Sequence, residues 1–355
     1  MFEKKQSSQS QRAGSESTQI QAAGDVIVGI TETRAREIAK ETAHEVIASY
    51  TSEANELIHD RIFKLDDRVI ASLIRANRLD AFSDPGFQRT YRKAQNGAAS
   101  SERDSDYDML AALIADRAAR GSERKVRAGI ERSIEIVDQI DDESLRGLTV
   151  FQAVRQYIAL NPAVDAGLDA LEELFAQLID GPLPSGNEWM EHLDVLDAMR
   201  VDGAMTLRSF DDYFTQKLIG YVSSGLEDSS APVEISGTPQ PLEWREFLMP
   251  HDFKPGYVRI AAVNVESLRG RINPAFVDYA DAIVTAAAAD FGFGQIDADS
   301  QAEFLRRAKL RPTIAQISEW WSTLSRAPQV TVVGRVLARA NAERLDAKRI
   351  LPALD

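Results

Sequence analysis

From Glu32 to Arg75 the chain contains neither proline nor glycine. Across the same stretch Val46, Tyr50, Ala54, Leu57, Ile58, Ile62, Leu65, Val69 and Leu73 recur at spacings of three and four. That period belongs to one face of an α-helix, and a strand cannot present it. Thr31 stands just before the run and is a good N-cap. The apolar stripe is narrow and its flanks are charged, which predicts a long amphipathic helix over 31–80 forming a coiled coil. A second reading folds the segment into two helices broken near Lys64-Leu65-Asp66-Asp67. The pattern alone is consistent with both.

The residues before the helix sharpen the first reading. Residues 1–12 are polar, with no apolar segment behind the lysines, so they read as a disordered tail and not a signal peptide. Gln11-Arg12-Ala13-Gly14 returns ten residues later as Gln21-Ala22-Ala23-Gly24. Ser17–Gln21 and Asp25–Val28 follow the two glycines with β-favourable residues, so 13–30 reads as a short N-terminal β element. Strands this short bury no face alone and need copies from other chains. A parallel homo-oligomer would satisfy both features, with β pairing through Ile20, Val26 and Val28 and helix packing through Val46, Tyr50, Leu57 and Ile58.

Ser83-Asp84-Pro85 starts another helix, with a cap residue and proline at the first position, ending near Asn96-Gly97. Helical patterns fill 81–180 as one domain, with breaks at Asp141 and at Asn161-Pro162, and a helical segment follows over 187–223. Residues 224–242 are polar and rich in proline and glycine, and read as a mobile insertion. The remainder, 243–355, reads as a C-terminal helical domain. Ser300–Glu303 and Thr313–Gln316 look like capping boxes within it. Tyr257–Val263 and Val330–Val333 are the pieces of a small β ribbon. The fold class is therefore mainly α.

The chain has 355 residues, enough for two or three domains, and no cysteine. Disulfides, thiolate metal sites and cysteine nucleophiles are excluded together. The composition fits a cytoplasmic protein, and no run approaches the ~18 apolar residues of a membrane helix. With 55 acids against 41 bases the net charge is −14, which disfavours nucleic acid as a partner in bulk.

No catalytic, cofactor or metal site is expected. Glu56-x-x-His59 has half the spacing of a di-iron carboxylate site but no second half. In a parallel oligomer, copies of His59 would instead form a pH-sensitive ring. Asp297, Asp299 and Glu303 lack the glycine and glutamate of a calcium loop, and Gly292-Phe293-Gly294 lacks the lysine of a phosphate loop. One stretch departs from the acidic balance. From Glu303 onward there are ten bases against five acids, around Trp320-Trp321. Two helices, a short strand and a last basic helix could form a winged-helix-like unit offering Arg335 and Arg339 to nucleic acid. The alternative is an ordinary helical subdomain with the tryptophans in its core.

Several segments together resemble an uncharacterised family of bacterial proteins that opens with a Q-x-A-G-D segment. They are Gln21-Ala22-Ala23-Gly24-Asp25 with Gly29-Ile30-Thr31-Glu32, and Ala81-Phe82-Ser83-Asp84-Pro85 with Phe87-Gln88. Ile134–Val137 with Leu145, Leu148 and Thr149 is a third, and Val332-Val333-Gly334-Arg335 with Ala340-Asn341 a fourth. The resemblance covers most of the chain outside 224–240. It implies a setting in bacterial conflict and phage-defence loci, and a protein partner from the same locus. It implies no activity. The expected function is a non-enzymatic homo-oligomeric assembly or sensor protein, with a nucleic-acid-binding regulator as the alternative.

Overall fold

Thr31 opens the first helix, α1 (Glu32–Ile47), by accepting a hydrogen bond from the Arg34 amide at 3.2 Å. A second helix, α2 (Asn55–Arg75), follows after a turn. The computed structural model describes residues 30–48, 50–51, 54–201, 206–236 and 242–351. The single helix expected over 31–80 is thus two helices folded on each other. The break falls near residues 48–54, and Lys64–Asp67 lies inside α2. The cause is burial. Val46, Ile58 and Ile62 pack with Ala43, Ile47 and Ala99 inside the same chain. Leu65, Val69 and Leu73 enter the main core, where α2 meets the next two helices, α3 (Pro85–Ser100) and α4 (Asp104–Arg120). The stripe from Ile58 to Leu73 is buried within the chain, whereas Tyr50 and Leu57 stay exposed. The expected β element with Ile20, Val26 and Val28 lies outside the described residues.

Asp84 caps α3 through the amides of Gly86 (2.9 Å) and Phe87 (3.2 Å), with Pro85 at the first position. The helix runs through Gly97 to Ser100. Next come α5 (Arg124–Ile136), α6 (Asp142–Gln156), α7 (Val164–Leu178), α8 (Glu188–Val195), the strand β1 (Met199–Val201) and α9 (Phe210–Lys217). Asp141 caps α6 by accepting from the Ser144 amide at 2.7 Å.

The chain then leaves the main core and builds a second one. The strands β2 (Leu226–Glu227), β3 (Leu248–Pro250) and β4 (Tyr257–Ile260) form an antiparallel sheet in the order β2-β4-β3. It packs with α10 (Val265–Arg271) and α11 (Ala280–Phe291) around Trp244, Phe247, Ile260, Ile283 and Phe291. Ile235 is buried in this core, and its amide donates to Leu242 O at 2.8 Å. The described part of the expected insertion is therefore anchored by an apolar side chain.

Helices α12 (Ala298–Lys309) and α13 (Pro312–Thr323), the strand β5 (Pro328–Val330) and α14 (Val332–Leu345) return to the main core. Residues 243–351 accordingly contribute to both cores. The expected β ribbon also divides, because β4 pairs with β2 and β3 whereas β5 pairs antiparallel with β1, Val330 opposite Met199. Asp297 caps α12 through Ser300 N at 2.9 Å, so that helix starts before the expected capping box. Thr313 is not a cap. Instead the Glu172 carboxylate of α7 accepts from Thr313 N (2.9 Å) and Ile314 N (3.0 Å).

The winged-helix-like unit does not form. A wing needs β5 in a local hairpin, and its partner is instead the distant β1. The last helix is too apolar to lie on the surface. Val336, Leu337, Ala338, Ala340 and Ala342 are buried, and α14 packs on α4, α5 and α6. Gly334 lets it approach β1 closely, since a Cβ there would sit 2.0 Å from Ala198 O. Trp320 and Trp321 are both buried, and Trp321 stacks on Phe151 at 5.0 Å.

Candidate anion-binding cleft

On α14, Arg335 is exposed and Arg339, one turn on, is partly buried. They face a cleft of about 540 Å³ with Arg120 from the end of α4, Lys125 from the start of α5 and Arg155 from the end of α6. Gln152, Gln156 and Tyr213 add polar groups, and Val126, Val330, Val332 and Val336 form an apolar wall. Five cations line the cleft and no carboxylate does. In a chain of net charge −14 that is a marked local excess of positive charge.

The cations differ in commitment. Arg120 is held by Asp116, one turn back on α4, and Arg339 donates to Glu343 at 2.8 Å. Lys125, Arg155 and Arg335 have no carboxylate partner among the described residues. Arg335 donates to the Val330 carbonyl at 2.9 Å, and the Arg155 guanidinium lies 5.6 Å from the centre of the Phe151 ring. Lys217, one turn beyond Tyr213 on α9, donates to the carbonyl of Val154. Burial pushes its ammonium down to about 7, and Arg155 adds to that effect. Burial also raises the Tyr213 hydroxyl, against the pull of Arg155.

Backbone placement adds to the positive field. Lys125 and Val126 come from the first turn of α5, and Val332 from the first turn of α14, so two helix N-termini meet at this wall. The α5 terminus has no side-chain cap and begins Arg124-Lys125, where the helix dipole disfavours cations. An anion bound there would offset both costs. The lining holds no carboxylate, histidine, serine or threonine, the groups that usually act as base or nucleophile. What it can do is grip phosphate, sulfate or carboxylate by arginine forks.

A larger cavity, about 730 Å³ near Trp321, lacks this bias. Arg208 and Lys309 are matched there by Asp211 and Glu319, and Lys309 pairs with Asp211 at 2.6 Å. A third hollow of about 260 Å³ lies between α1 and α2, lined by Ala39, Ala43, Ile47, Ile62, Phe63 and Ile70 among others. His44 and His59 meet edge to face at its rim, 6.5 Å apart. His59 is exposed, and its histidine neighbour belongs to the same chain.

The other expected site residues are also placed. Val46 and Ile58 are buried within the chain and cannot serve a partner directly. Tyr50 and Leu57 remain 38 and 56% exposed, as does Phe63 at 66%. Among the described residues no three metal-ligating side chains cluster. Asp297 is buried enough to resist ionisation, yet bonds from Lys254 and Ser300 hold its carboxyl at about 2. Arg120, Lys125 and Arg155 escape a reading along the chain because each lies on a different helix. One local signal points to them, the basic Arg124-Lys125 start of α5.

Fold and cleft together define a helical protein with a positively lined cleft. A family model matches residues 29–349, nearly the whole chain, and the protein belongs to that uncharacterised family. No curated protein and no solved structure matches it.

Proposed function

We propose that the protein is a non-enzymatic sensor that holds an anionic ligand in the cleft between α4, α5, α6, α9 and α14. One observation carries this reading: five cations share a cleft without an acid in its lining. Like charges are not gathered this way for stability, since each repels the others. The resemblance in the sequence favours a setting in bacterial anti-phage systems, where a bound ligand would be the signal.

Calorimetric titration of the full chain with sodium tripolyphosphate tests it. Binding is expected, and Arg155→Glu with Arg335→Glu is expected to weaken it at least tenfold, since charge-assisted hydrogen bonds contribute ~1.5–3 kcal/mol each. No binding at low salt would sink the proposal.

Self-association is the second reading, favoured by the exposed Tyr50, Leu57 and Phe63, of which Phe63 lines the hairpin hollow. The test is light scattering after size exclusion, comparing the full chain with Leu57→Glu/Phe63→Glu. An assembly that falls to one chain in the variant supports it, and a monomeric wild type ends it. Truncation to Phe82 is a poor test, because it removes Leu65, Val69, Ile70 and Leu73 from the main core.

A further inference from the structure

Building on the anion-binding reading, we infer that the cleft takes a nucleoside di- or triphosphate. Charge sets the number of phosphates. Lys125, Arg155 and Arg335 are the three lining cations with no carboxylate partner among the described residues. A di- or triphosphate carries about the negative charge that matches three cations, whereas a lone carboxylate would leave most of that charge unneutralised and a lone sulfate part of it.

The shape of the cleft sets the rest of the ligand. An inorganic phosphate chain needs no apolar surface, yet one side here is Val126, Val330, Val332 and Val336. Tyr213 stands in the lining with its ring stacked on Trp321 at 5.4 Å, which fixes an aromatic surface at the edge of the valine wall. A nucleobase is the planar, mostly apolar group that fits such a surface, and Gln152 and Gln156 can donate to and accept from its edge. The volume, about 540 Å³, falls within the usual range of small-ligand sites.

A polynucleotide fits less well. Polymer binding needs cations along a track, and these five are gathered in one pocket of a chain with net charge −14.

Calorimetry on the full chain in magnesium-free buffer separates these ligands, with ATP, GTP, sodium tripolyphosphate, adenosine and a short single-stranded RNA as titrants. One of the nucleotides is expected to bind at least tenfold tighter than tripolyphosphate, and adenosine not measurably. Arg335→Gln should weaken nucleotide and tripolyphosphate alike, about tenfold. Tyr213→Leu should weaken the nucleotide and leave tripolyphosphate unchanged, and circular dichroism should show the variant folded. Should it not fold, Gln156→Ala gives the same contrast from an exposed position. Tripolyphosphate binding as tightly as both nucleotides overturns the inference and leaves the anion-binding reading standing. RNA binding more tightly than either nucleotide overturns it in favour of a polymer. No binding by any titrant overturns both.

Discussion

The basic residues of the C-terminal quarter fall into two groups that composition does not distinguish. On α12 and at the N-cap of α13 they are spent on neighbours. Arg307 and Arg311 reach Asp165 at 2.6 and 3.0 Å, Arg311 also reaches Asp169 at 2.8 Å, and Lys309 reaches Asp211. These pairs tie α12 and α13 to α7 and α9. On the exposed edge of α14, Arg335 meets only a backbone carbonyl, in a cleft with four other cations. The first group holds the fold together, and the second leaves positive charge without a use in folding. A local excess of bases therefore says less about ligands than the absence of acids facing them.

The extreme of the paired class gives the largest expected effect. Arg259 on β4 is fully buried; its Nε donates to Asp252 at 2.8 Å and its Nη2 donates to the Pro162 carbonyl at 2.6 Å. Asp252 also accepts from the Val164 amide at 2.9 Å, so the pair pins the second core to the start of α7. Asp252→Ala strands a buried guanidinium and should cost ~3–5 kcal/mol in urea unfolding. A loss under ~1 kcal/mol would show that the pair is not the joint described here.

The exposed pairs should matter far less. Asp165→Asn removes the partner of Arg307 and Arg311, with a loss of about 1 kcal/mol or less that shrinks in high salt. Arg335→Gln should cost nothing or stabilise by a few tenths of a kcal/mol, because it relieves repulsion within the cleft. Thermal melts of the two variants side by side make the comparison direct. An Arg335→Gln loss larger than that of Asp165→Asn would move Arg335 into the structural class.

The same contrast explains what was legible along the chain. Two caps were, because the signal is local: Thr31 and Asp84-Pro85 sit within three residues of the amides they satisfy. The helical stripe of Ile58, Ile62, Leu65, Val69 and Leu73 was also legible, since period alone reveals it. Its partner was not, because a stripe packs equally well on another chain or on α3 and α4. The cap of α13 comes from Glu172, and β5 pairs with β1; both partners lie more than a hundred residues away in sequence. The cleft was half visible. Arg335 and Arg339 share a helix face, whereas Arg120, Lys125 and Arg155 join them only through the packing of α4, α5 and α6 around α14.

A last predicted effect lies at the margin between the two classes, at Lys217. It is neither ion-paired nor open to the cleft, and burial lowers its ammonium from an ordinary value near 10.5 to about 7. The unfolded chain therefore binds the extra proton between about pH 7 and 10.5, and stability rises with pH across that window. Below about 7 the ammonium is charged in both states and its penalty is constant. Lys217→Met should flatten that rise in urea unfolding followed from pH 7 to 10. Ligand binding should respond in the opposite sense. As the pH falls from 8 to 6, Lys217 gains a positive charge close to Arg155, and an anion should bind somewhat more tightly. Sulfate keeps its charge across this range, so its affinity followed by calorimetry isolates the protein's own titration. A twofold to threefold gain that disappears in Lys217→Met would place Lys217 among the cleft cations. The same gain in both proteins would assign the pH response to a different group and leave Lys217 with a structural role.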